Sequence, residues 1–189
     1  MTLQLISRSE GKLPTYMNFG CGNTIHDDTV NIDTSVSETI AMKAKSFGKN
    51  AWLYKGLWTD PHEFPVDHFN MVLAHDVLEH IHPDAIGNML YCFRCCMKIG
   101  GILEINVPDF EHIAQLIANH KIDDEMSIDW LSQFRRLELI WMAPYIHGGI
   151  GHQSIWTKAM ARYRLEGEGF MITNMKTIDL SLSITAKRV

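Results

Sequence analysis

Strand-like and helix-like segments alternate along this chain, and that alternation is what most narrows its fold. Tyr16 to Phe19 is a short extended run ending on Gly20-Cys21-Gly22. Val30 to Asp33 is a second, ending on an acid, and Ala51 to Leu57 is a third, followed by turn-rich residues up to Asp67. Phe69 to Ala74 is almost continuously apolar, as a buried parallel strand reads. Ile102 to Val107 is a fifth strand, closed by Pro108. Between them, Glu38 to Phe47 predicts a short helix stopped by Gly48. A longer helix opens at Pro83 or Asp84 and runs to about Lys98, with Gly100-Gly101 as its stop. Elements in this order predict an α/β fold.

The long helix has one apolar arc: Ala85, Ile86, Met89, Leu90, Cys92, Phe93, Cys96 and Met97, with Asp84, Asn88, Tyr91 and Cys95 opposite. The stretch 109–151 differs from its surroundings. It predicts helices at about Phe110 to His120 and Ile128 to Met142, then a loop from Ile146 to Gly151, and it is long enough for a lid or substrate-binding insertion. A last helix spans Thr157 to Gly167. From Phe170 to Val189, a period of two through Ile178, Leu180, Leu182 and Ile184 predicts two antiparallel strands closing the sheet edge. With 189 residues, 1–189 is expected to be a single domain.

Composition removes several classes of protein. At 46% hydrophobic and 21% charged residues the chain reads as globular, not disordered or collagen-like. A net charge of −5 without a long Lys/Arg run argues against a broad grip on nucleic acid or anionic lipid. The start of the chain has no apolar leader, and no stretch of about 18 apolar residues occurs. Four cysteines, three of them crowded at Cys92, Cys95 and Cys96, fit no disulfide framework and suit a reducing compartment. A cytoplasmic protein without membrane or nucleic-acid partners is expected, as a monomer or dimer.

The strongest local signal is Asn18-Phe19-Gly20-Cys21-Gly22-Asn23, followed by Asn31-Ile32-Asp33. A strand ending in Gly-x-Gly lets a ligand approach the backbone, where its amides can donate to a polar group. An acid at the end of the next strand can accept both hydroxyls of a ribose. The pattern points to a nucleoside-containing cofactor, with a plain structural turn as the alternative. The third glycine of a dinucleotide fingerprint is missing, since Ile25 stands where it is needed. That disfavours a nicotinamide-dependent oxidoreductase.

Met17 to Gly22 with Val30 to Asp33 resembles the first motif of class I S-adenosylmethionine (SAM)-dependent methyltransferases. It is most similar to a small predicted methyltransferase family whose opening reads LNLGCG…NVD. Phe69 to Ile81 resembles that family's FDxIxxxHVLEHI block, and Gly100 to Asp109 its PGGxLxIxVPD block. His152 through Gly169-Phe170 resembles its closing segment.

The resemblance implies a Rossmann-like fold: a mostly parallel seven-stranded sheet, an antiparallel last strand and helices on both faces. It implies SAM as cofactor and S-adenosylhomocysteine as product. The Gly20-Cys21-Gly22 turn, with Asn18, Phe19 and Asn23, would face the methionine part, and Asp33 would hold the ribose. Leu57 and Trp58 would flank the adenine. Ala74, His75 and Asp76 would close over the methionine end, with Glu79-His80 bracing the turn. The chain departs from the pattern at Asn70, where the family has Asp, and at Ile99, where it has Pro. Leu57 or Trp58 replaces the usual adenine acid, leaving Asp60 or a backbone carbonyl for that contact.

Transfer to a hydroxyl needs a base. The candidates are His75, Asp109, His147 and His152. Each also has a structural reading: Asp109 as the N-cap of the Phe110 helix, and His147 and His152 as flanks of a glycine-rich turn. His75, His80 and His82 with Asp76 and Glu79 could ligate an ion, but a single turn seldom supplies such geometry, and no metal is expected. Cys92 and Cys96 read as core. The sequence thus predicts methyl transfer from SAM to a small-molecule, sugar or glycan-precursor acceptor. The alternative is a non-catalytic module of the same fold that binds SAM or a nucleoside.

Overall fold

The computed structural model describes residues 3–8, 11–36, 42, 51–119 and 152–189. Eight strands form one sheet: β1 (Gln4–Ser7), β2 (Tyr16–Phe19), β3 (Val30–Asp33), β4 (Trp52–Lys55), β5 (Phe69–His75), β6 (Met97–Pro108), β7 (Phe170–Ile178) and β8 (Ser181–Arg188). Their order across the sheet is β1-β4-β3-β2-β5-β6-β8-β7. Strands β4, β3, β2, β5 and β6 are parallel. β8 runs antiparallel between β6 and β7, and β1 adds antiparallel to β4. The chain steps outward from β2 in both directions, so a switch point lies between β2 and β5. The crevice outside the carboxyl ends of such strands is where open α/β sheets bind ligands.

The expected mostly parallel α/β sheet is present, with one strand more than the seven expected. The addition, β1, is too short and too weakly alternating to read from sequence: four residues with a bulge between Leu5 and Ser7. The expected antiparallel pair at the sheet edge is present as β7 and β8. The period-two run from 178 to 184 crosses a turn at Asp179, so Ile178 is exposed at the end of β7 while Leu182 and Ile184 are buried in β8.

Helix α1 (Pro83–Cys96) lays its predicted arc on the sheet: Ile86, Met89, Leu90, Cys92, Phe93 and Cys96 are all buried. They join Val72, Ala74, Leu103, Ile105, Leu182 and Ile184 in one core. Truncating a central side chain such as Phe93 to alanine should cost about 3–5 kcal/mol. Ala85, placed on the same arc, is exposed and lines a cavity with Gly20, Asp33 and Leu57 instead. The helix stops two residues earlier than predicted, at Cys96, because Gly100-Gly101 serve the strand and not the helix end. Between Met97 and Ile102 the β5–β6 register slips. Gly100 adopts φ +80°, and a Cβ on Gly101 would lie 2.9 Å from the Lys98 carbonyl and 3.2 Å from that of Phe69.

Two further helices are described: α2 (Phe110–Ala118), and α3 (Lys158–Gly167), whose N-cap Thr157 accepts from the Met160 amide. The helices expected over 38–47 and 128–142, and the loop 146–151, fall outside the described residues, apart from Met42. No helix among the described residues is long and apolar enough to cross a membrane.

Candidate functional site

The β2–β3 connection is too short for a helix, and two buried asparagines organise it. Asn18 Nδ2 donates to the Thr24 carbonyl at 2.9 Å. Asn31 accepts from the His26 amide at 3.0 Å and donates back to the His26 carbonyl at 3.0 Å. These bonds stand in for helical ones and hold the Gly-Cys-Gly turn at the end of β2. Asn18 is therefore committed to the loop, and Asn23 is exposed beyond it.

The turn is locked from both sides. The amides of Gly20 and Cys21 both donate to the Ile32 carbonyl, at 2.8 and 3.0 Å. Gly20 has φ +72°, and a Cβ there would lie 2.4 Å from Val77 Cγ2, so only glycine fits. The Gly22 amide donates to Asp33 Oδ2 at 2.8 Å, and Asp33 Oδ1 accepts from the Ser35 amide at 2.7 Å. Each carboxylate oxygen keeps a second lone pair for a ligand. Burial, together with the Asp33 charge, pushes the Cys21 thiol up to about 12, so it is inert.

Beside this turn opens a crevice of about 310 Å³. Phe19, Gly20, Ile32 and Asp33 form its floor and lip, Leu57, Ile81 and Ala85 its apolar wall, and His80, His82 and Gln153 its polar rim. A larger groove, about 680 Å³, lies between α1 and α3 among Pro83, Met160, Tyr163 and Glu168. It takes no residue from a strand's carboxyl end, and its Arg164 already donates to the Ile155 carbonyl at 3.1 Å. The crevice at the switch point is the stronger candidate.

Several predicted site residues lie elsewhere. Trp58 is fully buried: it packs on Phe64 and Phe93, and its indole N–H donates to the Asp60 carbonyl at 2.7 Å. Leu57 alone of that pair faces the crevice, because Trp58 is turned into the core. Ala74, in β5, is fully buried in the core. His75, on the opposite face by strand alternation, borders a separate hollow with Glu104, Asn106 and Lys176. Asp76, at φ +51°, is exposed and accepts from Asn106 Nδ2 at 3.2 Å.

Asp109 stands as the cap of α2, the alternative that the sequence offered for it. It is 1% exposed, its Oδ1 accepts from the His112 amide at 3.2 Å, and its Oδ2 accepts from the Thr177 hydroxyl at 2.7 Å. Each oxygen takes one bond from the fold, and burial closes the remaining lone pairs to a substrate. His147 lies outside the described residues.

His152 comes to the site from far along the chain. The amides of Gln153 and Ser154 donate to the Glu79 carbonyl at 2.7 and 3.0 Å, and Ser154 Oγ donates to the Leu78 carbonyl at 3.0 Å. This staple puts His152 Nε2 3.9 Å from Glu79 Oε1 and its ring 4.7 Å from that of His80. Glu79 is 2% exposed, and its Oε2 has no hydrogen-bond partner. Burial drives its carboxyl up to about 8, against a bond from its own backbone amide and with help from the Asp76 charge. Burial, then the nearby His80, hold His152 down at about 4. The sequence presents Glu79-His80 and His152 separately, and no spacing rule joins residues so far apart.

The order of strands is that of a Rossmann-like α/β fold, extended by one edge strand. No protein-family model matches the chain, and no curated protein matches its sequence. Solved structures do match its shape. The 1,6-didemethyltoxoflavin N1-methyltransferase of Burkholderia thailandensis, with 1,6-didemethyltoxoflavin and S-adenosylhomocysteine bound, aligns with TM-score 0.59 at 15% identity, over 93% of this chain and 72% of that one. A SAM-dependent methyltransferase from Methanosarcina mazei gives TM-score 0.58 at 12% identity, over 95% and 94%. The magnesium protoporphyrin IX methyltransferase of Synechocystis, with bound SAH, gives 0.53 at 15% identity, over 95% and 77%. At such identities the likeness establishes the fold.

Proposed function

We propose that the chain binds SAM in the crevice beside Gly20 and transfers its methyl group to a small-molecule, sugar or glycan-precursor acceptor. The observation that carries this reading is the contact between the Gly22 amide and the Asp33 carboxylate at the lip of an apolar slot. A slot of about 310 Å³ is at the small end of ligand pockets, which run from about 300 to 1,000 Å³, and suits one nucleoside. The structural neighbours that hold S-adenosylhomocysteine add support at the level of fold.

In this reading Asp33 accepts the ribose hydroxyls on its free lone pairs, and Leu57, Ile81 and Ala85 hold the base by apolar contact. Gly22 has open space where a Cβ would stand, so its backbone is accessible to the amino-acid end of the ligand. SAM supplies a methyl group activated by its sulfonium. The chain's part is to hold the acceptor in line at near-attack distance and to exclude water. Segment 109–151 is proposed as the acceptor side of a single-domain, cytoplasmic enzyme, and the net charge of −5 supports a partner other than nucleic acid.

A non-catalytic module is the second reading. It is favoured by the state of the candidate bases: Asp109 is spent on a cap, His75 borders another hollow, and His152 is a weak base at a pKa of about 4. Incubation with methyl-labelled SAM and panels of hydroxy, amino and thiol acceptors separates the two. Labelled product supports the enzyme; tight SAM binding without transfer to any acceptor supports the module.

A further inference from the structure

We infer that Glu79, His80 and His152 form a site for one divalent transition-metal ion at the rim of the crevice. Two imidazoles and a carboxylate can place their donor atoms within 4.8 Å of one another here. In an occupied site neighbouring ligands stand about 3 Å apart, so closure needs only side-chain adjustment.

No hydrogen bond joins Glu79 to His152: their closest approach, 3.9 Å, is too long for one. Glu79 is 2% exposed and one of its oxygens is unpartnered, which costs free energy unless something meets it. A cation among the three side chains would meet that oxygen and favour the ionised carboxylate.

The support for the site is rigid. Backbone bonds from Gln153 and Ser154 to the Glu79 carbonyl, and the Ser154 hydroxyl on Leu78, fix both strands of the cluster independently of the ligating groups. Two imidazole donors favour Fe²⁺, Co²⁺, Ni²⁺ or Zn²⁺ over Mg²⁺ or Ca²⁺. Three protein ligands leave coordination positions open, and His80 borders the crevice. An ion there would take an acceptor oxygen and lower the pKa of its proton, which answers the shortage of a base. That role rests on the methyl-transfer reading; the ion site does not.

The test uses full-length, chelator-treated protein titrated with Co²⁺, followed by calorimetry and by the visible bands of imidazole-bound cobalt. The parent, His62→Ala and Cys95→Ser should each bind one ion. Glu79→Gln and His152→Ala should bind at least about tenfold more weakly. His152 is partly exposed, so its variant keeps the test valid if Glu79→Gln fails to fold. No binding by the parent, equal binding by the Glu79 or His152 variants, or loss confined to Cys95→Ser would overturn the inference. S-adenosylhomocysteine binding is measured on the same samples: a parent that binds cobalt but no S-adenosylhomocysteine strikes only the cofactor reading, and a parent that binds S-adenosylhomocysteine but no cobalt strikes only the ion site.

Discussion

The Gly22 amide donates to Asp33 Oδ2 across the ends of two adjacent parallel strands, 2.8 Å apart. One carboxylate thus ties the glycine turn of β2 to the end of β3 and, through its other oxygen, caps the turn at Ser35. A cap does not exclude a ligand, since each Asp33 oxygen keeps a second lone pair. The groups Asp33 holds in the fold are amides at the crevice lip, so it sets the shape of that lip.

Gly20 tests the rigidity of that lip. In Gly20→Ala the new methyl would meet Val77 and would have to sit at φ +72°. Crowding and the left-handed backbone together should cost about 2–5 kcal/mol. Adding Val77→Ala should recover only the share of the steric cost due to the two Cγ atoms, because the Val77 Cβ would still lie 2.5 Å from the new methyl. Denaturant midpoints of the three proteins check this; a Gly20→Ala midpoint equal to the parent's would show that the turn relaxes freely.

Glu79 and His152 give opposite pH slopes. In the fold the Glu79 carboxyl titrates at about 8 and not at the ordinary 4.5, so the folded chain holds an extra proton between those values. Its stabilising contribution is complete below about pH 4.5 and is lost as pH rises through about 8. His152 is lowered from 6.5 to about 4, so its contribution is complete above about 6.5 and is lost on acidification through about 4. The slopes oppose one another where they overlap, and the Glu79 loss stands alone from about pH 6.5 to 8. The charged groups facing this pair are Asp76 and His80. In chelator, Glu79→Gln should therefore melt progressively higher than the parent over that interval. A melting difference independent of pH would contradict the burial of an ionising carboxylate.

The cysteines give a chemical readout of the core. Cys21, Cys92 and Cys96 are buried, with thiols pushed up to about 12, whereas Cys95 is half-buried. Brief alkylation of the native protein with iodoacetamide should label Cys95 and spare the other three, with all four labelled in denaturant. Native labelling of Cys92 would show that α1 does not press that face on the sheet.

What the sequence made legible was periodic or local. The apolar arc of α1, the Gly-x-Gly turn before an acid, and the buried run of β5 follow from residue spacing within one element. What it hid depends on distant partners. Asp109 is a cap because Thr177, 68 positions later, takes its second oxygen. Trp58 is core because Phe64 and Phe93 enclose it. Gly100-Gly101 look like a helix stop until β5 is seen to approach Gly101 too closely for a Cβ. Glu79 and His152 meet only because backbone bonds fold 153–154 onto the turn after β5.

The central claim is that Asp33 and the glycine turn hold a SAM-type nucleoside, and calorimetry with S-adenosylhomocysteine tests it most directly. The parent should bind one molecule per chain. Asp33→Ala should bind about ten- to a hundredfold more weakly, since a charged hydrogen bond contributes about 1.5–3 kcal/mol. It should also lose stability, because the Gly22 and Ser35 amides lose their acceptor. Asp33→Asn should fall between. A folded parent that binds no S-adenosylhomocysteine at millimolar concentration, or an Asp33→Ala protein that binds it as tightly as the parent, would contradict the account.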